Sequence, residues 1–297
     1  MQVIASKSLD HNGLGAVRSV PMAKISMRKP ESVMKIAVLV KEVPDTWGDR
    51  RIDPSTKRVD RSGDLVIDEI NEKAVEAALL VKEANSGSDV TVVTMGPASA
   101  LDAIRKSLAM GADRGIHIID DGFTGSDVVQ TSAALAAALG GRDFDLVITG
   151  NESTDGRSAA VPAMLAERLG VAQLTFLRTL TVSAGVGSAG TVTGERVTAE
   201  GHVELRAALP ALVSVTEQIA EARYPNFKGI MSAKKKPVEV LALADLSLAA
   251  GDTGADNSWS VVADVTARPP RSGGTIIKDD GTAGTQVADF LAASKLI

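Results

Sequence analysis

The sequence predicts an α/β protein built on a doubly wound, mostly parallel sheet. Between residues 35 and 169, short apolar runs rich in β-branched residues alternate four times with helical patterns. The connections between them are mostly short, as in consecutive strand–helix units. Aromatic residues make up only 3% of a chain that is 44% hydrophobic. The core must therefore be aliphatic, which suits a parallel sheet covered by helices on both faces.

Residues 35–40 (Lys-Ile-Ala-Val-Leu-Val) read as the first buried strand, broken at Val43-Pro-Asp-Thr46. Residues 50–61 alternate in charge around Asp53-Pro54 and read as an excursion, a hairpin. In 71–83, Ala74, Val75, Ala78, Leu79 and Val81 keep helical spacing, with Asn71 as the expected N-cap and Glu72 in the first turn. Strands follow at 89–94, 115–119 and 145–149, and helices at 98–110, 126–139 and about 159–169, the last with Gly170 as its C-cap. After Gln173 the period falls toward two, with glycines between. Segments 175–182, 190–193, 197–205 and 211–215 read as antiparallel strands added to the sheet edge. Residues 223–231 show no clear period, and 238–241 read as one more strand.

Three regions result. Residues 1–33 are an N-terminal extension, expected to be disordered, ahead of a working start at Met34. Residues 34–250 form the α/β domain. Residues 251–297, opened by the spacer Gly251-Asp-Thr-Gly-Ala-Asp-Asn-Ser258, are an extended C-terminal arm without a core of its own, expected to dock either on this domain or on another chain.

Composition excludes several functions. A net charge of -5 argues against nucleic acid as a partner. The absence of cysteine excludes disulfides, thiolate zinc sites and cysteine nucleophiles. His11, His117 and His202 stand too far apart to suggest a metal site. No apolar run reaches the ~18–20 residues that cross a bilayer, so no membrane insertion is expected. Residues 1–33 lack the apolar centre of a secretory signal. The expected compartment is the cytoplasm, or the mitochondrial matrix if the extension is a transit peptide. No arrangement of nucleophile, base and orienting acid is evident, so no catalytic residue is assigned.

Ligands of such sheets sit beyond the carboxyl ends of the strands, which directs attention to residues 40–45, 94–97 and 149–158. The loop Gly150-Asn-Glu-Ser-Thr-Asp-Gly-Arg-Ser158 follows a strand and opens a helix. Glycine lets backbone N–H groups approach a phosphate, and the helix N-terminus adds positive potential. Ser153, Thr154 and Ser158 offer hydroxyls, and Arg157 a guanidinium fork. Neither a Walker A sequence nor a G-x-G-x-x-G after the first strand occurs. A nucleotide-sized site without chemistry suggests a structural cofactor or a carrier protein. The run Lys234–Lys236 reads by charge alone as a solvated face.

Several segments together resemble the electron-transfer flavoprotein beta subunit family from Met34 to about Ala244. They are Met34-Lys-Ile-Ala-Val-Leu-Val-Lys-Glu-Val-Pro-Asp45, Leu108-Ala-Met-Gly-Ala-Asp-Arg-Gly-Ile-His117, Asp145-Leu-Val-Ile-Thr-Gly150 and, above all, Arg223-Tyr-Pro-Asn-Phe-Lys-Gly-Ile-Met-Ser-Ala-Lys-Lys-Lys236. The resemblance implies an adenine-nucleotide-binding, Rossmann-like fold. It implies a heterodimer with an alpha subunit that carries the redox-active FAD, a structural AMP in this subunit, and docking of the arm on that partner. Acyl-CoA or other dehydrogenases would supply electrons, as in fatty acid oxidation, and a quinone oxidoreductase would take them. Carried over by position, Leu39, Asp68, Asn71, Met95 and the loop Gly150, Asn151, Thr154, Asp155, Gly156, Arg157 and Ser158 would hold the nucleotide. Phe227 stands where the family has an exposed apolar anchor, with Tyr224, Ile230 and Met231 beside it. The loop departs from the family's Asp-Asp-Asp pattern at Ser153-Thr-Asp-Gly156. Two alternatives stand beside this reading: an electron-bifurcating member with a second FAD in this subunit, and a nucleotide-binding stress protein or adenylating enzyme on the same sheet.

Overall fold

The computed structural model describes residues 33–48, 50–183, 190–267, 269 and 273–297. Apart from Val33, the N-terminal extension lies outside them. Two units are present, residues 1–263 and residues 264–297. The first therefore runs on to Ala263, past the boundary at residue 250 suggested by composition. Among its described residues the second contains one helix, α6 (Ala283–Ala293), with no buried residue.

The first unit opens with β1 (Lys35–Leu39), the two-stranded ribbon β2 (Glu42–Pro44) and β3 (Leu65–Ile67), then α1 (Glu69–Ala84). Between β2 and β3 the chain makes the expected excursion, closed by an antiparallel bridge between Ile52 and Val59. Next come β4 (Asp89–Met95), α2 (Leu101–Met110), β5 (Arg114–Ile118), α3 (Val128–Leu139), β6 (Leu146–Gly150) and α4 (Val161–Leu169). The β-rich part supplies β7 (Ala172–Leu177), β8 (Thr181–Ser183), β9 (Thr191–Thr198), β10 (Gly201–Ala208) and β11 (Ala211–Val215). A short helix, α5 (Phe227–Ala233), and β12 (Val238–Leu241) follow.

The strands lie in the order β10-β9-β7-β11-β6-β1-β4-β5-β12, with β8 on β9. From β7 to β12 every pairing is parallel. Period two along β1 sorts its side chains. Ile36 and Val38 pack with Val75, Leu79, Ile104 and Leu108 under α1 and α2. Ala37 and Leu39 pack with Leu135 and Leu165 under α3 and α4. Each fully buried aliphatic contributes about 2 kcal/mol, so both faces hold the sheet flat against its helices.

Three expectations need correction. The segment 211–215 is not an antiparallel edge strand. All five residues of β11 are buried, and it lies parallel between β6 and β7. Asn71 is not the cap of α1. Asp68 is extended at φ -57° and accepts from the Ile70 N–H, so the helix begins earlier. Residues 227–233 are helical, against the reading of 223–231 as without a clear period: Phe227, Ile230 and Met231 keep helical spacing, but on the exposed face.

The chain leaves β1 for β4 and β5 on one side, then crosses back to β6 on the other. The carboxyl ends of β1 and β6 thus flank a topological switch point, where open α/β sheets bind ligands.

Candidate functional site

A cavity of about 380 Å³ opens at this switch point. The ends of β1 and β6 form its floor through Leu39, Val40, Thr149 and Gly150, and the starts of α3 and α4 form its walls. Leu39, Met95, Phe123, Val128 and Leu135 make one side apolar. A second chamber of about 940 Å³ adjoins it and shares Lys41, Met95, Asp127 and Gly156.

Glycine at position 150 is a matter of space: a Cβ there would stand 2.6 Å from Asn71 Nδ2. Asn71 itself is buried in the first turn of α1, and its Oδ1 accepts from the Lys41 N–H at 2.8 Å. It ties that turn to the end of β1. Asn151 is buried on the cavity wall, and its Oδ1 has no hydrogen-bond partner. A buried acceptor left alone costs about 1–3 kcal/mol. It marks a place for an N–H or O–H donor of a ligand.

The loop 150–158 is fastened from beneath. Asp68 is fully buried, and its Oδ2 accepts from Thr154 N at 2.6 Å and Thr154 Oγ1 at 2.8 Å. Arg50 donates to the Thr154 carbonyl. Beyond Thr154, Arg157 and Ala159 take positive φ of 50° and 53°. Such backbone costs about 1–3 kcal/mol per residue and gathers at ligand clamps. The loop then enters α4, whose N-cap is Ala160, without a side-chain cap and without an acidic residue in the first turn. An uncapped helix start bordering a cavity suits an anion.

Asp155 does not line the smaller cavity. Its side chain is 1% exposed and lies 2.7 Å from Lys41 Nζ and 2.5 Å from Arg61 Nη2. Burial pushes its pKa up, but the charge and hydrogen bond of Lys41, the Ser153 hydroxyl and Arg61 outweigh it and hold the carboxyl at about 2. A carboxyl lowered from 3.8 to about 2 stabilises the fold fully above the upper value, and that stabilisation is lost as pH falls through the lower one. Asp155→Asn should therefore flatten the loss of thermal stability between pH 3.8 and about 2, as read by melting temperature against pH. An unchanged slope would remove Asp155 from the account.

Of the residues expected to hold a nucleotide, Leu39, Asn71, Met95, Gly150, Asn151, Gly156 and Ser158 meet at the smaller cavity. Asp155 borders the larger chamber. Asp68 and Thr154 lie behind the loop as its clasp. Arg157 turns outward, 67% exposed, toward Glu152 at 3.6 Å. The lining also holds Lys41, inside the loop 40–45 that the sequence singled out but not named as a contact, and Asp127 and Thr131, which lie outside those loops. Lys41 directly follows the first strand, and Asp127 closes a capping box with Gln130. Both signals were present.

A second feature lies away from the cavity. Helix α5 is capped by Asn226, whose Oδ1 accepts from the Gly229 N–H at 2.8 Å. On its surface Phe227 is 79% exposed, Ile230 46% and Met231 49%, with Tyr224 ahead of it at 96%. Their spacing of three and four places the helical residues on one face. Lys236 is not part of a solvated run: its Nζ donates to the carbonyls of Leu108 and Ala112 at the end of α2, at 2.9 and 2.6 Å. At Gly229 a Cβ would meet the Ala109 carbonyl oxygen at 2.4 Å. Gly229→Ala should therefore lift α5 off α2 and cost about 1–3 kcal/mol, measured by urea unfolding. Unaltered stability would mean that the helix is not seated there.

Among the described residues there is no cluster of metal-binding side chains, and no helix is long and apolar enough to cross a membrane. The electron transfer flavoprotein domain model matches residues 56–246. The chain is 50% identical over 268 residues to the electron transfer flavoprotein subunit beta of Mycobacterium leprae, covering 88% of this chain and 99% of that one. It is 33% identical over 276 residues to the subunit beta of Megasphaera elsdenii, covering 89% and 100%. It is also 32% identical over 262 residues to the caffeyl-CoA reductase-Etf complex subunit CarD of Acetobacterium woodii, covering 88% and 97%. With that match spread over the sheet, the switch-point loop and the α5 segment, the chain belongs to the electron transfer flavoprotein family, and its role is in electron transfer.

Proposed function

We propose that this chain is the beta subunit of a heterodimeric electron carrier and holds one AMP at the switch-point cavity. The observation that carries the nucleotide is the pairing of the uncapped start of α4 with the orphaned Asn151 Oδ1 in a single cavity. The first suits a phosphate. The second accepts from a ribose hydroxyl or a base amine. The wall of Leu39, Met95, Phe123 and Leu135 suits the face of a purine. A volume of about 380 Å³ falls at the lower end of small-ligand sites.

The residues present therefore fit a mononucleotide. They hold and shield it, and no side chain there is arranged to break a bond. The redox group of the carrier is an FAD, borne mainly by the alpha subunit. This chain contributes position: it binds the alpha subunit and offers the α5 face to dehydrogenases, acyl-CoA dehydrogenases first among them. A quinone oxidoreductase receives the electrons.

A second reading places another FAD in this subunit. The adjoining chamber of about 940 Å³ favours it, since a ligand longer than AMP could extend past Gly156. The family match leaves the stress-protein and adenylating-enzyme alternatives without support. Nucleotide extracted from the purified heterodimer decides between the remaining two. One AMP and one FAD per heterodimer is the expected result. Two flavins and no AMP would replace it by the second reading, and absence of any adenine nucleotide beyond one FAD would overturn both.

A further inference from the structure

The α5 segment is held at both ends by groups that have no part in the nucleotide site. At its start, Arg223 reaches back to α1. Its Nε and Nη2 both lie 2.7 Å from the Glu76 carboxylate, its backbone N–H donates to the same group at 3.1 Å, and its Nη1 lies 2.7 Å from Glu83. Glu76 is 5% exposed on α1. A buried carboxylate with one guanidinium partner is costly to leave alone, so the pair fixes where the chain can enter α5. At the far end, Lys236 and Arg105 fasten the chain to α2. Arg105 Nη1 donates to the Ala233 carbonyl at 2.8 Å. Between the two clamps the apolar residues face solvent.

We infer that Arg223 and Glu76 are positioning residues for partner docking: the ion pair preorganises α5 so that Phe227, Ile230 and Met231 meet an apolar groove of the partner as one rigid helix face. The inference rests on the docking role proposed above for Phe227. A seven-residue helix is too short to persist alone in water. Freed at its start, the segment would have to order itself at each encounter, and binding would lose what preorganisation contributes. The guanidinium fork is matched to the carboxylate in a way a lysine cannot copy.

The test uses the whole heterodimer and an acyl-CoA dehydrogenase reduced with its own substrate. Arg223→Met should raise the KM for the dehydrogenase about tenfold, with the rate at saturation, FAD content and reduction by dithionite unchanged. Arg223→Lys should not restore it. In the Phe227→Ala background the same Arg223→Met change should add little, because the anchor it positions is gone. An Arg223→Met effect of full size in that background, or an unchanged KM in the single variant, would overturn the inference while leaving the docking reading in place. If Phe227→Ala by itself has no effect, the docking reading falls and this inference with it. Should Arg223→Met yield no folded heterodimer, Glu76→Gln, nearly the same shape, should raise the KM in the same direction, and an unchanged KM there overturns the proposal.

Discussion

Phe227→Ala is expected to raise the KM for a reduced dehydrogenase about thirtyfold, the equivalent of about 2 kcal/mol of lost docking energy. Phe227 opens α5 and is 79% exposed, so its ring takes no part in either core cluster. Removing it should leave the melting temperature and the FAD content of the heterodimer as they are. A large aromatic ring held in water on a fixed helix has little to gain unless a partner buries it. Buried aromatic anchors are where interfaces concentrate their energy. Lys228, Lys234 and Lys235, all exposed, flank the apolar face, so association should also slow at high salt. Steady-state transfer from an acyl-CoA dehydrogenase at several concentrations measures both. A KM within twofold of the parent would remove Phe227 as an anchor.

Asp68→Ala should be the most damaging single change to the fold and to nucleotide retention together. Asp68 is fully buried and serves two structures at once. One oxygen caps α1 through the Ile70 N–H at 3.0 Å, and the other holds both the N–H and the hydroxyl of Thr154. Loss of the cap costs about 1 kcal/mol. Three donors left buried without an acceptor raise the total to about 3–4 kcal/mol. The loop 150–158 would lose its clasp, and the AMP proposed there should fall to substoichiometric amounts. Urea unfolding and nucleotide extraction read the two effects separately. Destabilisation below about 1 kcal/mol would show that the loop is held by other contacts. Asp68→Asn should be milder, since one carbonyl oxygen can still accept.

The parallel core was legible because the sequence states it locally. The runs at 35–40, 89–94 and 145–149 are continuous and β-branched, and each is followed by a helical pattern with a turn residue at its end, such as Gly170 in the left-handed conformation at φ 67°. Period, capping residues and glycine act over a few residues, so they can be read in one pass. The cavity lining was half legible for the same reason. Gly150, Asn151, Gly156 and Ser158 sit in one contiguous loop after a strand.

What escaped were the features made by residues far apart in sequence. Whether Ala211–Val215 lies at an edge or between two strands depends on what covers it, although its unbroken apolar character hinted at burial on both faces. Asp68 lies 86 residues from Thr154, and no local signal distinguishes a carboxylate that binds a ligand from one that holds the loop that does. Helix α5 was hard to read because its apolar residues Phe227, Ile230 and Met231 keep helical spacing on the outward face, while its core-facing side is mostly backbone: Gly229 against Ala109, with Arg105 and Lys236 reaching to carbonyls. The sequence by itself determined a parallel α/β sheet, a glycine-bearing loop at a strand end and an unusual apolar segment before three lysines. Tertiary structure alone decided that the loop is clasped from behind by Asp68, and that the segment is a helix pinned by Arg223 and Lys236 with its apolar face outward. Those outcomes depend on long-range hydrogen bonds and ion pairs, whose energy exists only once the chain has brought distant groups together.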